Sequence, residues 1–300
     1  MWPYSADQVE KLHLETGTFC NLECPGCLRT FDNTAQSHLN TNFLTYKKVS
    51  TWFQPNVLPS VNKVIYSGQI DEPAANPEIK EITEYFLDNW SLKVLIMQSH
   101  GSIRTENFWT ELGNLSRESG HIFRVEFSID GLEDSNHIYR QGSNWHRIIN
   151  NVNAYIQAGG YASWKFIKFK HNEHQVDQAL ELSKKLGFKQ FVTVDSARPS
   201  SKEINTPFDF KSNDSVKCRA FDDKWLYVHY DGVLQPCCYF GYDERSDDPE
   251  DNLNHNTIDN YFSNSKFLHD LQDGWDTPSC NPRCYTKCKL NLRDNRTVYE

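Results

Sequence analysis

Strand-like and helix-like segments alternate along most of this chain, between residues 12 and 194. The strand-like segments are short apolar runs, and the helix-like segments repeat apolar residues every three or four positions. The predicted strands lie at 12–16, 61–66, 93–98, 122–129, 164–169 and 191–194, and the predicted helices at 77–87, 106–119, 145–158 and 175–186. This alternation requires right-handed crossovers, so it predicts an α/β fold with a parallel sheet covered by helices.

The number of strand–helix units limits the choice of architecture. Six units are too few for a closed eight-unit barrel, which leaves an open, partial barrel or a doubly wound sheet. Either architecture places chemistry at the carboxyl ends of its strands. Cys20, Gly68, Ser99 and Asp130 all follow predicted strands, so we expect them at this edge of the sheet.

The pattern changes near residue 199. Residues 199–217 are rich in Ser, Lys, Asp and Asn, and we predict a linker there. The linker would join a first domain at 1–198 to a smaller, cysteine-rich domain at 218–300. Within the second domain we predict a hairpin around Asp231-Gly232 and a helix at about 257–271.

Composition and charge exclude several classes of protein. Aromatic residues make up 13% of the chain and charged residues 24%, unlike a disordered chain. No apolar run approaches the roughly 18–20 residues of a membrane-spanning helix, and the amino terminus lacks the features of a secretion signal. We therefore predict a cytoplasmic protein with no membrane partner. The 31 basic and 40 acidic residues give a net charge of −9, which disfavours nucleic acid as a partner.

Nine cysteines form two groups at opposite ends of the chain. The first group is Cys20, Cys24 and Cys27, and residues 28–217 contain no cysteine. The second group is Cys218, Cys237, Cys238, Cys280, Cys284 and Cys288. Disulfides are disfavoured in a reducing compartment, so metal binding or catalysis is the favoured role of these thiols. The two groups predict two separate metal sites.

The first group brings three thiols together on one short loop, directly after a predicted strand. Thiolates are soft ligands that select zinc, copper(I) or iron–sulfur clusters. Three of them can hold three corners of a 4Fe-4S cube and leave the fourth iron open to a substrate or cofactor. A structural zinc site needs a fourth ligand, which no nearby Cys or His supplies. Zinc and buried, unliganded cysteines are the alternatives to the cluster.

The loop Cys20-Asn-Leu-Glu-Cys24-Pro-Gly-Cys27 resembles that of the radical S-adenosylmethionine (SAM) enzymes. In that family a Cys-x3-Cys-x2-Cys loop follows the first strand of a six-unit partial (β/α) barrel. The resemblance covers about residues 10–197 and implies an α/β partial (β/α)6 barrel here. It also implies that Cys20, Cys24 and Cys27 bind a 4Fe-4S cluster whose open iron chelates SAM. One departure is Gly26, where many members place an aromatic residue.

Further segments resemble the SAM-binding motifs of the family. Ser67–Pro73 is similar to the Gly-Gly-Glu-Pro loop, with Glu72-Pro73 matching its end and Asp71 in place of a Gly. Similar counterparts of later motifs are Ser99-His100-Gly101, Ser128-Ile129-Asp130-Gly131 and Tyr139-Arg140. The resemblance implies that SAM is bound by Gly68, Glu72, Ser99, Ser128 and Arg140, while Asp130 is expected to cap its turn.

The second cysteine group resembles the SPASM and twitch extensions of radical SAM proteins, because a hairpin and Gly232-x4-Cys237 follow Cys218. Two auxiliary clusters need up to eight ligands, so six cysteines fit the shorter twitch arrangement with one auxiliary 4Fe-4S cluster. The resemblance implies that Cys218 and Cys237 are ligands and that two of Cys280, Cys284 and Cys288 complete the set. A closed zinc site with the same ligands is the alternative.

These resemblances imply a radical SAM oxidoreductase-like enzyme. Reductive cleavage of SAM would give a 5'-deoxyadenosyl radical that abstracts hydrogen from a small-molecule or peptide substrate, for oxidation or epimerisation. Cys238 lies where some relatives have a general-base Asp, and a thiol there can donate a hydrogen atom to a substrate radical. The reductant would be a protein such as flavodoxin or ferredoxin. The alternative function is a non-catalytic iron–sulfur or zinc-binding interaction protein, which the altered SAM-motif segments support.

Overall fold

The computed structural model describes residues 2–195, 216–275, 277, 279–288 and 296–299, without the side chains of residues 286 and 287. Within these residues one sheet has nine strands, in the order β8-β7-β1-β2-β3-β4-β5-β6-β9. The strands are β1 (Lys11–Leu14), β2 (Lys63–Tyr66), β3 (Val94–Ser99), β4 (Phe123–Ser128), β5 (Ala162–Lys168), β6 (Gln190–Asp195), β7 (Trp225–Val228), β8 (Leu234–Gln235) and β9 (Arg296–Tyr299). The short edge strands β8 and β9 pair antiparallel, and the other neighbours pair parallel.

The order of the strands decides between the two predicted architectures. A doubly wound sheet reverses its strand order at a switch point, whereas β1 to β6 follow one another in chain order without a reversal. The prediction of a partial (β/α)6 barrel is therefore confirmed. Each of the six predicted strands overlaps an observed strand to within two residues at either end.

Helices connect the strands and cover one face of the sheet. They are α1 (Leu28–Phe31), α2 (Asn33–Ser37), α3 (Tyr46–Trp52), α4 (Ile79–Asn89), α5 (Glu106–Glu118), α6 (Asn136–Tyr139), α7 (Trp145–Gln157), α8 (Val176–Leu186), α9 (Arg219–Asp222), α10 (Ile258–Asn264), α11 (Lys266–Gly274) and α12 (Pro282–Cys288). The four helices predicted between residues 77 and 186 appear as α4, α5, α7 and α8. Gly187 ends α8 with φ of 91°, a conformation that favours glycine.

Two differences from the predicted helices have local causes. The helices α1 to α3 were not predicted, since only Ala35 and Val49 among their residues are buried and a periodic apolar pattern is missing. The single helix predicted at 257–271 is instead α10 and α11. Ser265 separates them, because its backbone is not helical, with φ of −58° and ψ of 114°, and its Oγ accepts a hydrogen bond from the Leu268 amide at the start of the second helix. None of the helices in the described ranges combines the length and apolar character needed to cross a membrane.

Side chains alternate between the two faces of the sheet. On the outer face Phe127 of β4 packs against Trp109 of α5, with ring centroids 5.2 Å apart, and both side chains are fully buried. The inner face, opposite the helices, carries polar groups such as Glu126 and Lys165, whose Oε1 and Nζ atoms lie 3.3 Å apart. Strand alternation thus separates an apolar core under the helices from a polar lining inside the partial barrel.

The carboxyl-terminal segment continues the barrel sheet. β7 pairs in parallel with β1, and the hairpin predicted around Asp231-Gly232 is present between β7 and β8. On the inner face the His13 ring of β1 stacks on Trp225 of β7 at 5.5 Å. Residues 196–215, which contain most of the predicted linker at 199–217, lie outside the described residues. The predicted domain boundaries remain predictions.

Candidate functional site

The first cysteine loop lies at the carboxyl end of β1. Cys24 is buried, and Cys20 and Cys27 are partly buried. The loop is held from outside by a hydrogen bond from the Glu23 amide to the Gln141 carbonyl, 3.0 Å long. Cys27 then begins α1 as its N-terminal cap residue. The three thiols pack with a small apolar cluster formed by Leu22, Tyr139 and Phe169.

The three cysteines line one cavity with side chains from the ends of the next four strands. All five residues predicted to bind SAM contribute to its wall, namely Gly68, Glu72, Ser99, Ser128 and Arg140. Further wall residues are Leu22, Arg29, Ser67, Gln69, Asp71, Pro73, Gln98, His100, Lys165 and Ile167. The structure therefore brings together the residues that the sequence spreads over β1 to β5 and their loops.

Glu72 is fixed by the backbone around it. Its Oε1 accepts a hydrogen bond from the Ala74 amide at 3.2 Å, and its Oε2 accepts one from the His100 amide at 3.0 Å. The Nδ1 atom of His100 accepts from the Ser102 amide, so the ring proton lies on Nε2, which is 3.1 Å from Glu72 Oε2. Burial lowers the pKa of His100, which keeps this ring neutral. His100 thus has a structural role in the loop that follows β3, where it helps to fix Glu72.

Gly68 allows its loop to fold tightly on itself. A Cβ atom at this position would lie 1.8 Å from Asp71 Oδ1 and 2.6 Å from Glu15 Cγ. Asp71 Oδ2 accepts hydrogen bonds from the Thr16 amide and hydroxyl, at 2.8 and 2.7 Å. Burial and then the neighbouring Glu15 raise the pKa of Asp71 to about 8. No side chain larger than glycine fits at residue 68 while Asp71 keeps this position.

Arg140 reaches the cavity from the end of α6. Its Nε donates to Asp130 Oδ2 at 2.6 Å, and Asp130 is fully buried. Asp130 Oδ1 accepts from the Ile167 amide at 2.7 Å, which ties the loop after β4 to β5. Asp130 therefore holds Arg140 and the strand ends in place. Ser99 is also fixed, because its Oγ accepts from the Gly101 amide at 3.0 Å.

The donor set of the first loop fits a thiophilic metal centre. Burial, and next the Glu72 carboxylate, raise the pKa of Cys20 above its usual range. The metal-free thiol therefore keeps its proton, and metal binding has to displace it, as is general for thiolate sites. Among the described His, Cys, Asp and Glu side chains, no group of three is arranged to hold a metal ion.

A second cavity lies in the carboxyl-terminal segment. Its wall includes four cysteines, namely Cys218, Cys237, Cys284 and Cys288, together with Val216, Arg219, Ala220, Pro236, Tyr239, Phe240, Leu271 and Arg283. Burial raises the pKa of Cys218, Cys237 and Cys284. Cys280 is buried but is not one of the wall residues, and its thiol lies 3.6 Å from the Asn281 carbonyl oxygen. The geometry thus distinguishes Cys280 from Cys284 and Cys288, which spacing alone could not do.

Cys238 follows Cys237 but belongs to different surroundings. Burial raises the pKa of Cys238 to about 11, and Lys11 and Lys165 act in the opposite direction. The Cys238 carbonyl accepts a hydrogen bond from Gln69 Nε2 at 3.2 Å, which links it to the wall of the first cavity.

Sequence reasoning missed a buried polar network between the barrel and the carboxyl-terminal segment. Glu15 and His229 are fully buried, and Glu15 Oε2 lies 2.7 Å from His229 Nδ1. The Tyr242 hydroxyl donates to the same oxygen at 2.6 Å, and the Gln69 amide donates to Oε1 at 3.0 Å. One signal was present, since Lys11 and His13 of β1 and Glu15 directly after it put polar side chains at alternate positions. Their partners are distant in sequence, so no local pattern indicates them.

Comparison with known proteins gives matches among solved structures. No protein-family model and no curated protein sequence matches the chain. A structure of anSMEcpe with bound AdoMet aligns with a TM-score of 0.62 and 14% identity, covering 86% of this chain and 78% of that one. Streptococcus suis SuiB aligns with a TM-score of 0.61 and 12% identity, covering 89% and 68%. BtrN in complex with AdoMet and 2-DOIA has a TM-score of 0.54 and 12% identity, covering 97% and 95%.

These three proteins are radical SAM enzymes. At 12–14% identity the likeness concerns the course of the backbone. The chain therefore has the fold of the radical SAM enzymes.

Proposed function

We propose that this chain is a radical SAM enzyme. The observation that carries the proposal is the meeting of Cys20, Cys24 and Cys27 with Glu72 and Arg140 around one cavity. Three thiols, a carboxylate and a guanidinium are the groups that a three-ligand 4Fe-4S cluster and the amino acid part of SAM require. The inner-face cavity at the carboxyl ends of parallel strands is also where folds of this type perform their chemistry.

Different residues around the cavity would bind the cluster and SAM. Cys20, Cys24 and Cys27 would hold the cluster, and Gly68, Glu72, Ser99, Ser128 and Arg140 would hold SAM. When bound and reduced by one electron, this pair supplies a 5'-deoxyadenosyl radical that removes a hydrogen atom from a substrate. The side chains around the cavity would orient the reactants.

We also propose that the second cavity holds one auxiliary 4Fe-4S cluster. Of the five candidate ligands, we propose Cys218, Cys237, Cys284 and Cys288, because these four thiols line the same cavity. Its wall includes apolar residues such as Phe240 and Leu271. The cluster would either accept an electron or shape the substrate site. An electron acceptor suits an oxidation, in which the substrate gives up a second electron after losing hydrogen.

Cys238 supports the second reaction type, epimerisation. Its carbonyl accepts a hydrogen bond from Gln69, which is part of the wall of the first cavity. A hydrogen atom passed from this thiol to a substrate radical would complete a redox-neutral inversion, with the resulting sulfur radical reduced afterwards by the external reductant. We propose this role for Cys238 as the alternative to the oxidation that an auxiliary cluster would serve.

The neighbouring structures suggest two substrate classes. One SuiB structure is described as bound to the precursor peptide SuiA, and the BtrN structure as a complex with 2-DOIA. We accordingly propose a peptide or a small molecule as substrate for this chain. We also propose a flavodoxin or ferredoxin as reductant and a cytoplasmic location, where reduced thiols persist.

The test is the formation of 5'-deoxyadenosine. Protein purified without oxygen and reconstituted with iron and sulfide is reduced with dithionite, mixed with SAM and analysed by mass spectrometry. We expect 5'-deoxyadenosine from the native chain and none above background from Cys24→Ala. Comparable iron loading of the second site in both proteins serves as the folding control.

A non-catalytic interaction protein gives the opposite result. It would bind iron or zinc and form no 5'-deoxyadenosine under any of these conditions. Tetrahedral zinc as the sole metal at Cys20, Cys24 and Cys27 in oxygen-free material would also overturn the proposal.

A further inference from the structure

One residue of the cavity wall contacts both cysteine sites. The Gln69 carbonyl oxygen lies 3.5 Å from the Cys27 sulfur, in the first loop. The Gln69 side chain reaches the other way, and its Nε2 donates to the carbonyls of Cys238 and Phe240. Phe240 and Cys237 line the second cavity. Gln69 therefore spans the distance between the two sites by itself.

The orientation of the Gln69 amide is fixed by chemistry. Two carbonyl oxygens face its terminal group, and only the NH2 end can donate to both. The backbone amide is also engaged, because it donates to Glu15 Oε1 at 3.0 Å. All N–H donors of Gln69 are thus used in contacts to other segments. The loop that carries Gly68 and Glu72 is held in place through this residue.

Glu15 provides a second connection between the loop that carries Gly68 and Glu72 and the carboxyl-terminal segment. Its other oxygen, Oε2, accepts from the Tyr242 hydroxyl at 2.6 Å and lies 2.7 Å from His229 Nδ1. Both partners belong to the carboxyl-terminal segment that surrounds the second cavity. A buried carboxylate has to keep its hydrogen-bond donors. A movement of the cavity loop that displaces Glu15 therefore also displaces the carboxyl-terminal segment, and the reverse holds as well.

The position of residues 238–240 depends in turn on the second cysteine site. Cys237 lies directly before them and packs in the cavity with Cys218, Cys284 and Cys288. A metal cluster bound there would pin Cys237 and with it the two carbonyls that hold Gln69. Without the cluster, these two carbonyls are more mobile and hold Gln69 less firmly. The loop that carries Glu72 then has to be ordered when SAM binds, so the affinity for SAM is lower.

We propose that Gln69 is a positioning residue that couples the auxiliary cysteine site to the SAM cavity. A metal cluster bound at the auxiliary site then strengthens the binding of SAM in the other cavity. This inference rests on the proposed function in two respects, because it takes SAM as the ligand of the first cavity and a metal cluster as the ligand of the second. The coupling is reciprocal: SAM binding favours the metal-loaded auxiliary site by the same factor.

A double-mutant cycle tests the coupling. SAM affinity is measured by anaerobic equilibrium binding on reconstituted protein for the native chain, Cys284→Ala, Gln69→Met and the double variant. We expect Cys284→Ala to weaken binding about fivefold in the native background. In the Gln69→Met background the same change should have less than about a twofold effect, since the connection is already lost. Equal effects in both backgrounds would overturn the proposal.

A matched control and a second measurement complete the design. Gln36→Met removes an amide-to-carbonyl hydrogen bond to Thr30 at the surface, 2.8 Å long, and should leave the coupling intact. Hydrogen exchange at residues 67–72 is followed in the same proteins. Exchange should be faster in Cys284→Ala than in the native chain. It should not be faster in the double variant than in Gln69→Met alone. Unchanged exchange in Cys284→Ala would contradict the coupling even if binding differed.

These measurements separate the two proposals. A native chain that binds no SAM overturns the proposed function, while hydrogen exchange still decides whether Gln69 links the sites. A native chain that binds SAM with additive variant effects overturns only the coupling. Should Cys284→Ala yield no folded protein, Cys288→Ala replaces it, because Cys288 is less buried.

Discussion

The two cysteine sites of this protein are built in opposite ways. The first takes its thiols from one loop of eight residues and opens to a cavity with charged walls. The second takes its four wall cysteines from segments between residues 218 and 288, among mostly apolar neighbours. A local loop with three thiols leaves room for a ligand, whereas a set assembled from distant segments encloses its contents. The difference agrees with the proposed function, in which the first site would react with SAM and substrate and the second would accept an electron or shape the substrate site.

The largest expected contrast concerns the cysteines of the second site. Cys284→Ala should lose about four irons per chain, the content of one 4Fe-4S cluster, because its thiol lines the cavity. Cys280→Ala should retain all the iron, since Cys280 lies outside that wall. Both variants keep the first loop, so 5'-deoxyadenosine formation should persist in each. Iron and sulfide analysis, with electron paramagnetic resonance of the reduced proteins, measures the outcome.

Equal iron loss in the two variants would remove the distinction between Cys280 and Cys284. Loss of 5'-deoxyadenosine in Cys284→Ala even at saturating SAM would contradict the division of roles, because the proposed coupling lowers only the affinity for SAM.

A smaller effect is expected where the two regions meet. Tyr242→Phe removes a hydroxyl that donates to the buried Glu15 carboxylate, and we expect a loss of about 1.5–3 kcal/mol in the free energy of unfolding. Tyr155→Phe is the matched control, because its buried hydroxyl donates to the neutral Tyr161 carbonyl at 3.2 Å. That variant should lose only about 0.5–1.5 kcal/mol. Urea unfolding of both variants at neutral pH gives the comparison, and equal losses would mean that Glu15 holds the regions together no better than a neutral contact.

The smallest effect is a pH dependence at the same junction. Burial lowers the pKa of His13 to about 3, below its usual value of 6.5. Between these values the unfolded chain takes up a proton and the folded chain does not, so stability falls as the pH drops below about 6.5. One proton changes the free energy of unfolding by at most about 1.4 kcal/mol per pH unit.

His13→Gln should flatten this part of the stability profile. The glutamine amide can still donate to the Ser67 carbonyl, which accepts from His13 Nε2 at 2.5 Å. Urea unfolding at pH 5 and pH 7 measures the slope for both proteins. His146→Gln, at an exposed surface position, should leave the slope unchanged. An unchanged slope in His13→Gln would show that the ring is not kept neutral by burial.

Much of the barrel followed from local patterns. Apolar spacing located β1 to β6 to within two residues, because the outer-face side chains that cover the core must alternate with inner-face ones. The first cysteine loop was equally local. The partners of Glu15 could not be predicted, since His229 and Tyr242 are more than two hundred residues away and belong to a segment with its own patterns.

The sequence by itself determined the alternation of strands and helices in an α/β fold, the two cysteine groups and the residues that follow each strand, since periodicity and spacing are properties of neighbouring residues. Only the tertiary structure decided that β7 extends the barrel sheet beside β1, that Cys284 and Cys288 share a cavity with Cys218 and Cys237, and that Gln69 connects the two sites. These features depend on contacts between distant segments, which form only when the core under the helices has brought the strands into register.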